Sequence, residues 1–450
     1  MGSTLDIIVM VGQLILALSI LVGVHEGGHL LAAKLFGMRV EQFSIGFPPK
    51  IFGFKYGETV YSIGAIPLGG FVKISGMIDE SLDTKTMEEE PKDYEFRSKP
   101  AWQRLIVMLG GIIVNVITGI IIFIFLTYSL GERYESMEEV NKTGIVPGKI
   151  GLDLGLELGD KIIAINGESF EKFSDIRDPN RLLESGSYYT VMRGNEKIDI
   201  PIPSNFIENF SRQEADDLFV MPMFKFAVGA VSKETGAAEA GLKVGDRIVK
   251  IDGKEFTYFH EFKEIIANYP GMKVSLDIRR PTDKKMTQYS DMRLDNVQVS
   301  EDTTIGFLPV SLLPETRLQY TFMEAIPKGT ERAFSVVWVN VKAFGKMFQG
   351  ELSPTKSLRG PLGIMKTFGV TWNWVRFWTL TGLISMVLAF MNLLPIPALD
   401  GGHVVFLMYE IISGRKPSDK FLENAQKVGM VLLLGLMVFV FFNDIIQEFF

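Results

Sequence analysis

The sequence predicts a polytopic α-helical membrane protein: four transmembrane helices, a region of short β-strands after the first, and two β-rich domains in the middle. Three observations carry this. Four apolar stretches approach or exceed bilayer length, a 16-residue pattern beginning at Gly155 recurs 86 positions on at Gly241, and residues 40–76 alternate apolar and polar between Gly and Pro. Composition agrees, with 34 Phe and 47% hydrophobic residues among 450. A net charge of −7 argues against nucleic acid as a partner, because phosphate binding needs clustered Lys and Arg. No cysteine is present, which excludes disulfides, thiolate metal sites and a Cys nucleophile. Any transition metal must therefore sit on carboxylates and the four histidines, His25, His29, His260 and His403.

The spans come first. Ile7 to Val24 is uncharged for 18 residues, Leu105 to Leu130 for 26 and Phe377 to Leu399 for 23, while Val428 to Asn443 is shorter and extends through Ala425 and Gln426. A helix needs about 20 mostly apolar residues to cross the hydrocarbon core. The first segment does not read as a cleaved signal peptide, since no Lys or Arg precedes Lys34. Lys34 and Arg39 follow the first span, Lys99 and Arg104 precede the second, and "GRKPSDK" separates the third from the fourth. The positive-inside rule then turns both termini and the large central region outward, with 37–104 and 414–427 facing the cytoplasm. Spans one and three run in the same direction, so His25, about 27 Å along the helix from Ile7, and Asp400, at the far end of span three, share one depth.

The first span ends in "VHEGGH". His25 and His29 are four apart, so on a helix both imidazoles leave one face and can grip a single ion. Glu26 is one step round, close enough to serve as a base without ligating. Zinc suits this set, because catalytic zinc commonly takes three N or O ligands and keeps one position open. Two adjacent glycines, Gly27 and Gly28, cost up to about 2 kcal/mol of helix propensity, so the fold must gain packing or open space there. The third ligand is sought in "MNLLPIPALDGGHVVF" (391–406), where Pro395 and Pro397 break the helix. Asp400 offers a carboxylate at the matching depth. His403 is its rival, with a packed or capping role as the other reading. Asn392 is placed to donate to a developing oxyanion, or to bond carbonyls freed by the prolines.

These two motifs together resemble the site-2 protease family of intramembrane zinc metalloproteases. In that family the two motif histidines and the Asp of Leu-Asp-Gly hold zinc, and the motif Glu is the catalytic base. The resemblance implies those roles for His25, His29, Asp400 and Glu26, with one Zn2+ per chain.

The recurring pattern, "GLELGDKIIAINGESF" (155–170) and "GLKVGDRIVKIDGKEF" (241–256), has eight identities in sixteen. Each copy reads as a Gly-Asp turn, an alternating strand and an Asn/Asp-Gly turn. It resembles tandem PDZ domains in the permuted form of bacterial envelope proteases, and so the bacterial regulator of sigma-E protease subgroup. That subgroup implies an inner-membrane enzyme acting on single-span proteins such as an envelope-stress anti-sigma factor, and on signal-peptide remnants. Peptide C-termini are the expected guests of the PDZ domains. A plain β-rich spacer is the other reading.

Residues 40–76 read as short strands, Gln42–Gly46, Thr59–Ile63 and Gly70–Ile74. The resemblance implies a membrane-associated β-hairpin here, with Gly69, Gly70, Phe71 and Val72 as a substrate-holding strand. A transmembrane helix hides its own peptide bonds, so an edge strand would hold the unwound segment extended. A brace for the core is the alternative. The following charged "DESLDTKTMEEEPKDYEF" reads as a solvated loop. Ala333 to Phe348 puts Phe334, Val337, Trp338, Val341, Phe344 and Phe348 on one helical face, which suits either an interfacial helix or core packing.

The chain thus divides into a first transmembrane helix (1–36), β region and cytoplasmic loop (37–100), second transmembrane helix (101–130), two PDZ domains (131–220 and 221–315), interfacial helix region (316–369), third transmembrane helix with Leu-Asp-Gly (370–413), and cytoplasmic loop with fourth helix (414–450). A catalytically inactive PDZ scaffold remains the rival function. Retention of Glu26 speaks against it.

Overall fold

The computed structural model describes residues 4–77, 90–211, 219–283 and 285–449, so most of the charged loop expected after residue 78 lies outside the described residues. Two compact units emerge, Met1–Gly131 with Gln319–Phe450, and Glu132–Leu318.

The first unit contains helices α1 (Thr4–Leu35), α2 (Ala101–Leu130), α3 (Phe322–Phe348), α4 (Pro361–Phe368), α5 (Trp374–Leu393), α6 (Asp400–Ser413) and α7 (Asp419–Phe449). Four are long and apolar enough to cross a membrane: α1, α2, α5 and the Lys420–Gln447 stretch of α7. All four are predominantly apolar and bond their backbone groups internally, which is what a bilayer demands of a spanning segment. Helix α2 is central, packing against α1, α3, α5 and α6.

Where α1 crosses α2, glycine is required. A Cβ on Gly28 would run into the carbonyl of Gly110, whereas one on Gly27 would meet nothing within 4 Å. The costly Gly-Gly pair therefore supplies close packing at one position and open space at the other.

The β region is two long bent strands, β1 (Val40–Tyr56) and β2 (Thr59–Ile74), joined at Gly57 with φ +60°. Each is continuous where shorter strands were expected, because bulges and glycine bends carry it round a corner rather than ending it. Ser44 pairs with Phe71 on one side and Ser62 on the other, while Ser62 also pairs with Gly53. The spatial order is accordingly 70–74, 40–45, 60–63, 52–56. Gly70–Ile74 forms an edge: among the described residues, only β1 pairs with it.

Helix α3 starts well ahead of Ala333. A capping box, Thr321 with Glu324, opens it at Phe322 and outweighs Pro327 inside it. Buried Ala325, Gly329 and Ala333 face α2 at a four-residue spacing, and a Cβ on Gly329 would strike the Ile124 backbone. Phe344 packs on Phe390 of α5 at 5.6 Å, while Phe334, Trp338 and Phe348 stay exposed. The helix thus packs on two apolar helices with its small residues and leaves several of its aromatics outside.

Near the C-terminus, Asp444 of α7 accepts the backbone N–H groups of Gly360, Leu362 and Gly363 at 2.8, 2.9 and 3.1 Å. It caps α4 from another element, where a carboxylate is favoured by the helix dipole. Asn443 adds a bond to the carbonyl of Thr355 at 2.8 Å.

The second unit holds two cores, one built around Ile145, Ile162, Tyr189 and Phe219, the other around Phe226, Ile248, Leu276 and Val297. The repeat is visible in its polar pins. Buried Asp160 takes a bidentate bond from Arg193 and the N–H of Glu157, and buried Asp246 takes the same from Arg280 and Lys243. Asn166 and Asp252 both adopt positive φ and accept an N–H from the neighbouring strand, at Tyr188 and Ser275. The Asp and Asn/Asp positions of the pattern are thus ones whose side chains tie turns to strands, while its shared isoleucines sit in the two cores. His260 belongs to this unit and stacks on Tyr258.

Candidate metal centre

Helix α1 carries His25 and His29 on one face because a four-residue step is close to one turn. Asp400 arrives from the other end of the chain. Helix α5 stops at Leu393, residues 394–399 turn back through Pro395 and Pro397, and α6 begins with Asp400. Glycine makes this turn fit. A Cβ on Gly401 would hit the carbonyls of Leu393 and Leu394, one on Gly402 that of Ile396, and one on Gly429 of α7 that of Pro397.

Three atoms converge. His25 Nε2 and His29 Nε2 lie 3.2 and 3.4 Å from Asp400 Oδ2, and 3.3 Å from each other. Ligands about 2.0–2.1 Å from a tetrahedral ion stand about 3.3–3.4 Å apart, so this triangle matches one face of a zinc tetrahedron. The donor chemistry agrees. Asp400 Oδ2 is buried without a hydrogen-bond donor, and with neutral, Nε2-ligating imidazoles three lone pairs would point at one place. A metal cation at that point relieves the arrangement while leaving both imidazoles neutral. Among the described residues this is the single cluster of its kind.

The second ring of contacts comes largely from α2. His29 Nδ1 donates to the carbonyl of Val107 at 2.8 Å, and Asn115, fully buried, stands 3.1 Å from His25 Nδ1. Gly111 lets both rings lie against the helix, since a Cβ there would be 2.5 Å from His29 Nε2 and 2.6 Å from His25 Cε1. Further along α6, Glu410 pairs with buried Arg104 of α2 at 2.5 Å. None of these contacts follows from motif spacing. A lone amide and a buried Arg beside a long apolar helix were the available signals.

A cavity of about 690 Å³ opens onto the cluster, lined among others by Glu26, Gly70, Asn392 and His403. Gly69, Phe71 and Val72 line it too. Asn392 Nδ2 is 3.4 Å from His25 Nε2. A Cβ on Gly70 would come within 3.1 Å of Glu26 Cγ, so the edge strand runs directly past the carboxylate. His403, one turn beyond Asp400, faces the cavity and stands outside the triangle.

Comparison with known proteins gives the family. The profile described as Peptidase family M50 matches residues 13–436. The regulator of sigma E protease of Haemophilus influenzae is 29% identical over 452 residues, covering 97% of this chain and 98% of its own. The regulator of sigma-E protease RseP of Escherichia coli is 29% identical over 457 residues, covering 96% and 97%. A protein of Neisseria meningitidis named as a candidate zinc metalloprotease is 30% identical over 457 residues, again covering 96% and 97%. With the match running through both motifs and every apolar helix, the chain belongs to peptidase family M50.

Proposed function

We propose that the protein is a membrane-embedded zinc endopeptidase that hydrolyses peptide bonds within the transmembrane segments of single-span proteins. The observation that carries this is the triangle of His25, His29 and Asp400, built inside apolar helices with Glu26 on the same cavity. Those three residues hold the ion, one per chain, and when bound it supplies Lewis acidity toward the scissile carbonyl and lowers the pKa of water.

Glu26 takes the proton from the attacking water and returns it to the leaving amine. Asn392 directs its amide N–H groups to the oxygen that gains charge. The substrate must lose its helix before attack, and the free edge at Gly69–Val72 can bond its exposed backbone as an added strand. Membership of the M50 family and the names of the relatives support an envelope-stress substrate such as an anti-sigma factor, with signal-peptide remnants as a second class.

We read the two cores of residues 132–318 as tandem PDZ domains, which admit trimmed chains and take peptide C-termini. The β region is read as membrane-associated. The charge bias supports a multi-pass inner-membrane protein with both termini and the PDZ domains outside and the site toward the cytoplasm. A single comparison tests the enzyme reading. Wild type should cleave a single-span reporter in detergent, while Glu26→Gln should keep its zinc and lose cleavage. Equal cleavage by both would overturn Glu26 as the base, and no cleavage by either would overturn the enzyme reading and favour the PDZ scaffold.

A further inference from the structure

The two imidazoles are not equally explained. Both present Nε2 to Asp400, so each, if neutral and ligating, carries its proton on Nδ1. For His29 that proton has an acceptor in the carbonyl of Val107. For His25 the group at Nδ1 is the Asn115 amide, with Nδ2 at 3.1 Å, while Oδ1 of the same amide is buried without any partner. Two donors cannot bond one another, and an amide whose nitrogen and oxygen are exchanged looks nearly the same in shape. A half-turn of the amide resolves the clash of donors: Oδ1 then faces the Nδ1–H of His25 and gains a partner, while the amide N–H groups take the side that has none.

We infer that Asn115 is a positioning residue for the metal centre, its Oδ1 accepting the Nδ1 proton of His25 and so fixing that ring's tautomer and orientation. Asn115 is well placed for this. It is fully buried, and its own carbonyl accepts the hydroxyl of Ser385 on α5 at 2.8 Å. Val107 and Asn115 lie eight residues apart, about two helical turns, with Gly111 midway where the rings approach. One face of α2 thus holds both histidines, through a main-chain carbonyl for one and a side chain for the other.

The inference rests on the zinc reading, and metal affinity tests the two separately. Full-length wild type, Asn115→Leu and Asn115→Asp would be loaded with zinc in detergent and titrated with a competing chelator of known affinity. Loss of such an outer partner lowers metal affinity about 10–100-fold, so Asn115→Leu should fall in that range with its helicity unchanged. Asn115→Asp keeps the acceptor and discards the donor, so it should hold zinc as well as wild type. Leu holding zinc like wild type, or Asp losing it like Leu, would overturn the proposal. Should the Leu variant fail to fold, the Asp variant decides alone: retention supports the acceptor role and loss overturns it. A wild type that takes up no zinc would overturn the metal reading and this inference with it.

Discussion

Gly28 and Gly110 meet backbone to backbone where α1 crosses α2, and neither has room for a Cβ against the other's carbonyl. The crossing brings α2 so near that its next residue, Gly111, lies against both motif histidines. Metal chemistry and helix packing are therefore one problem at this position.

Gly111→Ala should consequently cost metal more than it costs fold. Its Cβ would displace two rings rather than backbone, whereas Gly28→Ala would force the helices apart, at about 1–3 kcal/mol for overpacking. Thermal unfolding and zinc content, measured on both variants, should separate them: a lower Tm for Gly28→Ala, and zinc loss at a smaller change in Tm for Gly111→Ala.

Asp400→Ala should leave far less than one zinc per purified chain by elemental mass spectrometry, while His403→Ala should keep it. The reverse pattern would make His403 the third ligand.

The Arg104–Glu410 pair is buried, with side-chain exposures of 8% and 17%. Arg104→Met strands a carboxylate and should cost about 3–5 kcal/mol, while a double variant with Glu410→Leu should recover much of the loss. Unfolding temperatures of the singles and the double measure the coupling. If helix α6 relays the pair to Asp400, zinc affinity will follow the same order.

Asp246→Ala and Asp160→Ala should each destabilise their own half of the second unit, since each leaves a guanidinium and a turn N–H without their acceptor. Hydrogen exchange reads this locally. Asp246→Ala should deprotect the 247–251 strand more than the 161–165 strand, and Asp160→Ala the opposite.

Some of this architecture was legible beforehand, for reasons that differ by residue. His25 and His29 announce a shared face by spacing alone, and the proline-broken end of the third apolar stretch gives Asp400 its depth. The repeat was visible because Asp160 and Asp246, and Asn166 and Asp252, are tied to fixed turns that tolerate few other residues. Asn115 and Gly111 stand in a second-span pattern that resembles the family's, Asn115 keeping it and Gly111 departing from it, but the contacts of these two and of Arg104 and Glu410 were not legible, because they depend on which helix faces meet. The strand order around Ser44 stayed hidden for a related reason: alternation marks which residues lie in strands and says nothing of who lies beside whom. The apolar face of 333–348 marks only the second part of helix α3, whose start is set by the Thr321–Glu324 capping box ahead of Pro327.

The tight seat of residues 394–399, between the glycines of α6 and Gly429 of α7, has a practical side. Asp400 is held by a strap whose outer wall is the last apolar helix in the chain. A detergent or bilayer of poor fit that eased α7 outward would remove one wall of the strap at Gly429 without breaking a helical hydrogen bond. Such a preparation would keep its circular dichroism and its solubility while its metal leached away. Helical content is thus a poor certificate of an intact enzyme, and the composition of the surrounding lipid becomes a setting of the catalytic centre.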